Sequence, residues 1–272
     1  ILTIAGVIVK IIGAFSKVLV ARILGGEGIG LYMMAYPIYQ IIVSISAAGI
    51  PVAISIMIAE KLANRDMRGV QQVFNVSLRV LTLVGIIFSV GLYASAEWLI
   101  KWNIITDSRA LIPIQLLSPA IIVVTILSCF RGYFQGFQYM VPTGTSQVFE
   151  QIFRVGSMVG LAYYFIDSGL HLAAGGATFA TFPGVLAGLI VLVYFYRSQR
   201  SLRQQMLSEQ NEEAPIERTS AVIKRLFALA IPVSMANIML PMVSLIDTFI
   251  VPKRLMDIGY YLNEATTQFG YL

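Results

Sequence analysis

The 272 residues predict an all-α polytopic membrane protein of about seven transmembrane helices. The chain is 57% hydrophobic and only 12% charged, with a mean hydropathy of +0.79, whereas soluble domains carry roughly 25% charged residues. Its apolar residues come in long runs, each near the ~20 residues that a helix needs to cross a bilayer core of about 30 Å. Those runs are apolar on both parities, as in Ala120-Ile121-Ile122-Val123-Val124, while strands of a membrane barrel alternate. Helices remain, because lipid offers no partner to an unpaired backbone group.

Cutting the chain at its polar interruptions yields seven segments. The first, Ile1 to Ala21, lacks the basic leader and cleavage site of a secretory signal and reads as a spanning helix. Leu31 to Ala59 is too long for a straight crossing, and Gly49-Ile50-Pro51 marks its interruption. Val76 to Ala96 is followed by Trp98 and Trp102, placed as interfacial aromatics. Leu111 to Phe130 carries the single cysteine, Cys129, and stops at Arg131. Ser146 to Ile166 is apolar except for one face, and Leu172 to Tyr196 ends on the interfacial pair Tyr194 and Tyr196. Leu226 to Val251 contains Pro232 and Pro241, with Pro252 just beyond. The pairs Gly132/Gly136, Gly156/Gly160 and Gly184/Gly188 have the small-xxx-small spacing that lets helices approach closely.

The longest polar stretch divides the chain. Residues 1–196 are expected to form a six-helix lobe, 197–225 a cytoplasmic linker, and 226–272 the first helix and following loop of a second, truncated lobe. The start at Ile1 without an initiator Met fits this expectation of a fragment. Threading the segments alternately places Lys61, Arg65, Arg68, Arg131, Arg197, Arg200, Arg203, Arg218, Lys224 and Arg225 on one side, and Arg22, Lys101, Arg109, Lys253 and Arg254 on the other. The basic excess marks the first side as cytoplasmic and the N-terminus with it, in a multi-pass protein of the cell membrane.

Several function classes are disfavoured. One cysteine precludes an intramolecular disulfide, and one histidine, His171, precludes a zinc site needing two imidazoles. The net charge of +5 forms no single patch, so no nucleic-acid partner is expected. No phosphate-binding glycine loop, metal spacing or nucleophile elbow is present, so neither enzyme activity nor a cofactor is expected.

Charges inside the spans point instead to a cavity. In the first helix, Thr3, Gly6, Lys10, Gly13 and Lys17 recur at three- and four-residue steps and share a face that is small, polar and cationic. Each lysine near a helix centre costs about 2.5 to 3.5 kcal/mol, and the two together nearly cancel the gain from the helix's apolar residues. Such a face makes room for an anion, and phosphate suits lysine's point charge. Arg22 continues the charge; snorkelling of both lysines to the interfaces is the alternative. In the fifth segment, Gln147, Glu150, Gln151 and Arg154 share a face, and the four-residue spacing of Glu150 and Arg154 predicts an ion pair. That pair is either structural or part of the same cavity, with Glu150 holding Arg154 for substrate. In the seventh, Ser234, Asn237, Pro241, Ser244 and Thr248 form a polar stripe beside Asp247, a carboxylate that either couples to an ion or lies hydrated near the helix end.

Three stretches carry a family resemblance. Ala21-Arg22-Ile23-Leu24-Gly25-Gly26-Glu27-Gly28-Ile29-Gly30-Leu31-Tyr32, Gly49-Ile50-Pro51-Val52-Ala53-Ile54-Ser55, and Arg131-Gly132-Tyr133-Phe134-Gln135-Gly136 followed by Ser146-Gln147-Val148-Phe149-Glu150-Gln151-Ile152-Phe153-Arg154 resemble the stage V sporulation protein B branch of polysaccharide exporters. That branch lies in the multidrug/oligosaccharidyl-lipid/polysaccharide (MOP) superfamily, beside the lipid II flippases. The resemblance implies a transporter of two six-helix lobes plus a terminal pair, moving an undecaprenyl-pyrophosphate-linked sugar by alternating access. This chain would be its first lobe and the opening of the second. Ser16-Lys17-Val18-Leu19 resembles a basic substrate site on the family's first helix, so Lys17 inherits that role; the second helix has no basic residue before Lys61. The expected substrate-binding residues are Lys10, Lys17, Arg22, Glu150 and Arg154, with Asp247 as ion-coupling candidate. The expected partners are a lipid-linked pyrophosphate sugar, membrane lipid and a coupling ion. An ion-coupled multidrug exporter and a non-transporting scaffold or enzyme of cell-wall synthesis are the rival readings.

Overall fold

A computed structural model describes residues 2–102, 104–208 and 217–271. Among the described residues there are ten α-helices and no strand. The first, α1, runs Leu2–Val43 without the loop expected between the first two crossings. It breaks at Gly25, whose φ of 64° and ψ of −178° suit a residue without Cβ. A five-residue π turn, Ser44–Ala48, leads into α2, Ile50–Ala63. Pro51 explains the turn: it lacks an N–H, its ring crowds the carbonyl four residues back, and a wider turn absorbs both.

Five stretches among the described residues are long and apolar enough to cross a membrane: 2–63, 67–101, 108–136, 170–198 and 219–257. The first has 62 residues, about 90 Å of helix, and so holds two crossings divided at Gly25. Helix α5, Met140–Phe165, has spanning length but falls outside the five because Gln147, Glu150, Gln151 and Arg154 lower its hydropathy. With α5 counted, the expected seven crossings are accounted for.

Helix α3, Met67–Lys101, starts earlier than expected because Asp66 caps it, accepting from the Gly69 N–H at 2.7 Å. At the centre lies α4, Leu111–Gly136, packed against α1, α2, α3, α6 and α7. Gly132 and Gly136 let α2 approach it, since a Cβ at either would strike Ile54 or Ile58. The sixth crossing bends at Ala180, between α6, Leu170–Phe179, and α7, Thr181–Ser198. Gly184 and Gly188 seat α7 on α5 in the same way. Gly156 and Gly160 do not pack: nothing lies within 4 Å of a Cβ at either.

The expected linker is partly helical. Helix α8 covers Arg200–Ser208, and α9, Thr219–Asp257, begins before Leu226. The acidic run from Glu209 to Pro215 lies outside the described residues. Helix α9 docks on the π turn: Ser234 Oγ accepts from the Gly49 N–H at 3.1 Å, and a Cβ on Gly49 would collide with the Ala230 carbonyl. A loop was expected after α9, but α10, Leu262–Gly270, forms there and packs on α1.

Candidate functional site

The π turn and the Gly25 break bring α1, α5, α9 and α10 around a cavity of about 870 Å³. Lys10 and Lys17 of α1 line one wall, with Gly13 between them. A Cβ on Gly13 would stand 3.2 Å from Gln151 Nε2, so that glycine lets the polar faces of α1 and α5 meet. Gln151 and Arg154 of α5 line the adjacent wall. Arg154 donates to Gln151 Oε1 and, at 3.4 Å, to the Tyr36 hydroxyl. Ser244, Asp247, Thr248 and Val251 of α9, with Phe269 of α10, supply the opposite wall.

Four of the six sequence-predicted residues therefore share one cavity: Lys10, Lys17, Arg154 and Asp247. Lys10, Lys17 and Asp247 form no ion pair among the described residues. Arg22 is exposed and lies outside the lining. Glu150 is outside it too, and its expected pairing with Arg154 is incorrect. Its Oε2 is 2.7 Å from Arg131 Nη2, while Arg131 also donates to Ser146 Oγ at 3.3 Å. The close seating of α4, α5 and α7 puts a cation from another helix nearer than the one four residues along.

The sequence reading missed an aromatic and amide row beside these charges. Tyr32, Tyr36 and Gln40 line the cavity, and the rings of Tyr32 and Tyr36 stack with centroids 5.2 Å apart. Their four-residue spacing was the available signal. The hydroxyl stripe of α9 is mostly turned on its own backbone: Thr248 Oγ1 donates to the Ser244 carbonyl at 2.8 Å and Asn237 Nδ2 to the Val233 carbonyl at 2.8 Å.

Also missed was the network that holds α10, and with it Phe269, in place. Asp107, in the turn before α4, accepts from Arg109 Nη2 at 2.6 Å, Arg109 Nε and N–H at 3.0 Å each, and Thr266 Oγ1 at 3.2 Å. Arg109 reaches Glu27 Oε1 of α1 at 2.7 Å and Asn263 Oδ1 of α10 at 3.2 Å. Burial would raise the Asp107 carboxyl pKa, but the hydrogen bonds and charge of Arg109, with Thr266, outweigh it and hold the group below its ordinary value.

Solved structures share this helical architecture. An inward-facing multidrug resistance MATE family transporter of the MOP superfamily superposes with a TM-score of 0.70 at 16% identity, over 95% of this chain and 56% of that one. A MOP superfamily transporter from Pyrococcus furiosus Vc1 (DSM3638) gives 0.70 at 13% identity, over 99% and 61%. The chain belongs to the polysaccharide biosynthesis protein family, whose model matches residues 1–261. It is similar to stage V sporulation protein B of Bacillus subtilis (strain 168), 29% identical over 100% of this chain and 52% of the relative. It also resembles the lipid II flippase MurJ of that organism, 27% identical over 96% and 49%. The chain spans about half the length of these curated relatives.

Proposed function

We propose that this chain builds half of the pathway of a membrane transporter that moves a lipid-linked, pyrophosphate-bearing sugar outward across the cytoplasmic membrane by alternating access. The carrying observation is the convergence of Lys10, Lys17 and Arg154 on one cavity with, among the described residues, a single carboxylate, Asp247, in its lining. Cations at intramembrane depth are costly unless they face water or a counter-ion, and a pyrophosphate supplies the counter-charge. The likeness to a protein named as a lipid II flippase supports this substrate class. Arg154, oriented by Gln151 and Tyr36, and the two lysines would grip phosphate oxygens while the prenyl tail stays in the bilayer. Arg22 and Glu150 take no direct part; Glu150 fixes Arg131 between α4 and α5. The transporter is not itself an enzyme in this reading.

Replacing Lys10 and Lys17 with Gln in the full-length protein is expected to cut flipping of a fluorescent lipid-linked sugar in proteoliposomes at least about tenfold, each lost cation contributing about 1 to 2 kcal/mol. Unchanged flipping at equal protein density would overturn the assignment. A second reading, an ion-coupled exporter, is favoured by the position of Asp247 in the same cavity. It requires Asp247→Asn to abolish dependence of transport on a sodium or proton gradient, which the first reading does not.

A further inference from the structure

A second cavity of about 430 Å³ lies between α3, α4, α7 and α8, away from the candidate site. The rings of Phe74, Tyr133 and Tyr196 line it, with centroids 4.9, 5.0 and 5.3 Å apart. Arg197, Arg200 and Arg203 stand around it, and no carboxylate is in the lining among the described residues. This grouping follows from helix periodicity: Arg200, Arg203, Gln204 and Leu207 recur at three- and four-residue steps, so one face of α8 carries them all towards the pocket.

Among the described residues the three arginines pair with no acid. The Arg203 guanidinium lies 3.7 Å over the Tyr196 ring, donates to the Tyr196 carbonyl and hydrogen-bonds the Tyr133 side chain, all partners in the pocket wall rather than acids. Arg197 and Arg200 are exposed and have no acidic partner among the described residues. Three like charges on one small pocket repel unless an anion joins them. The pocket's size is within the range of ligand sites.

We propose that this pocket seats the phosphate group of an anionic phospholipid. The guanidinium groups hold the phosphate oxygens by paired hydrogen bonds, and the glycerol and first acyl carbons lie on Phe74, Tyr133 and Leu207. A soluble phosphate shares the head chemistry but has no use for an aromatic floor. Location favours the lipid: α8 follows directly on the apolar crossing helix α7, and Leu202 beside the arginines is 55% exposed. Basic pockets at helix ends on the charge-biased side are where acidic headgroups collect. The proposal does not depend on which cargo the larger cavity carries.

The test is titration of the full-length protein in detergent with dioleoyl phosphatidylglycerol, bound lipids being counted by native mass spectrometry. One lipid is expected to bind more tightly than the rest. The combined Arg197→Gln, Arg200→Gln and Arg203→Gln variant should weaken that lipid roughly a hundredfold, about fivefold per arginine. A charge-matched variant, Arg65→Gln with Arg218→Gln and Lys224→Gln, should leave it within about threefold; an equal loss in both would mean diffuse attraction and overturn the site. Melting in dioleoyl phosphatidylcholine reports folding, and if the triple variant unfolds, Arg200→Gln alone should still show the fivefold loss. Displacement of the lipid by millimolar inorganic phosphate, with Tyr133→Leu leaving lipid affinity unchanged, would make the ligand a soluble phosphate and sink the lipid assignment.

Discussion

The side chain of Asp107 is 1% exposed, and among the described residues the cation it pairs with is Arg109. A carboxyl whose folded pKa is depressed stabilises the fold above its unfolded value of about 3.9, and that contribution is lost as pH falls through the folded value. Asp107→Asn should therefore lower stability at pH 7 by about 2 to 3 kcal/mol, less than a full buried-pair loss because Glu27 still holds Arg109. The variant should also show a smaller drop in melting temperature than the parent between pH 7 and pH 3; an equal drop would show that Asp107 does not carry the effect. Residues like these mark where sequence reading stops. The face shared by Lys10 and Lys17 was legible because one helix's periodicity defines it. The partners of Glu150 and Asp107 were not, since Arg131 and Thr266 arrive from other helices and spacing along one helix cannot rank a partner across a gap.

Helices, by contrast, were largely legible, because twenty apolar residues in a row have few other fates. What escaped was how they join. The break at Gly25 and helix α10 each replace an expected loop, whereas the interruption expected at Gly49-Ile50-Pro51 is present and takes the form of a π turn. Glycine spacing was equally incomplete, since packing needs a partner as well as a small residue. Gly30 lies beneath the Thr266 carbonyl and Gly270 beneath the Gly26 carbonyl, so a methyl group at either must push backbone apart. Gly30→Ala is expected to destabilise by about 1 to 3 kcal/mol, whereas Gly160→Ala, with open space around it, should be neutral or stabilising by up to about 1 kcal/mol. Thermal melts of the two variants check this contrast, and a Gly30→Ala protein as stable as the parent would remove α10 from that position on α1.

At the scale of the whole molecule, the ten-to-five division of loop cations predicts which end faces the cytoplasm. Cys129 is buried with Sγ 3.9 Å from the Phe74 carbonyl, a site where serine keeps the donor, so a Cys129→Ser background should fold. In it, a cysteine at Ser208, which is exposed, should react with impermeant maleimide only after the inner face is opened, and a cysteine at Trp102 from outside. The reverse pattern would invert the topology. The larger cavity could be only half inferred from the chain, as its α1 and α5 walls carry their own periodic charges while the far wall depends on α9 and α10 folding back. Its charge imbalance, three cations against one carboxylate among the described residues, also bears on what the proposed carrier could do when vacant. Shutting that space around nothing would strip water from like charges, and unpaired buried ions cost several kcal/mol each. The dianionic cargo proposed above would reverse the sign of that penalty. Under the proposed function, the side chains that attract the load would therefore also discourage idle strokes, so that turnover would wait for a passenger.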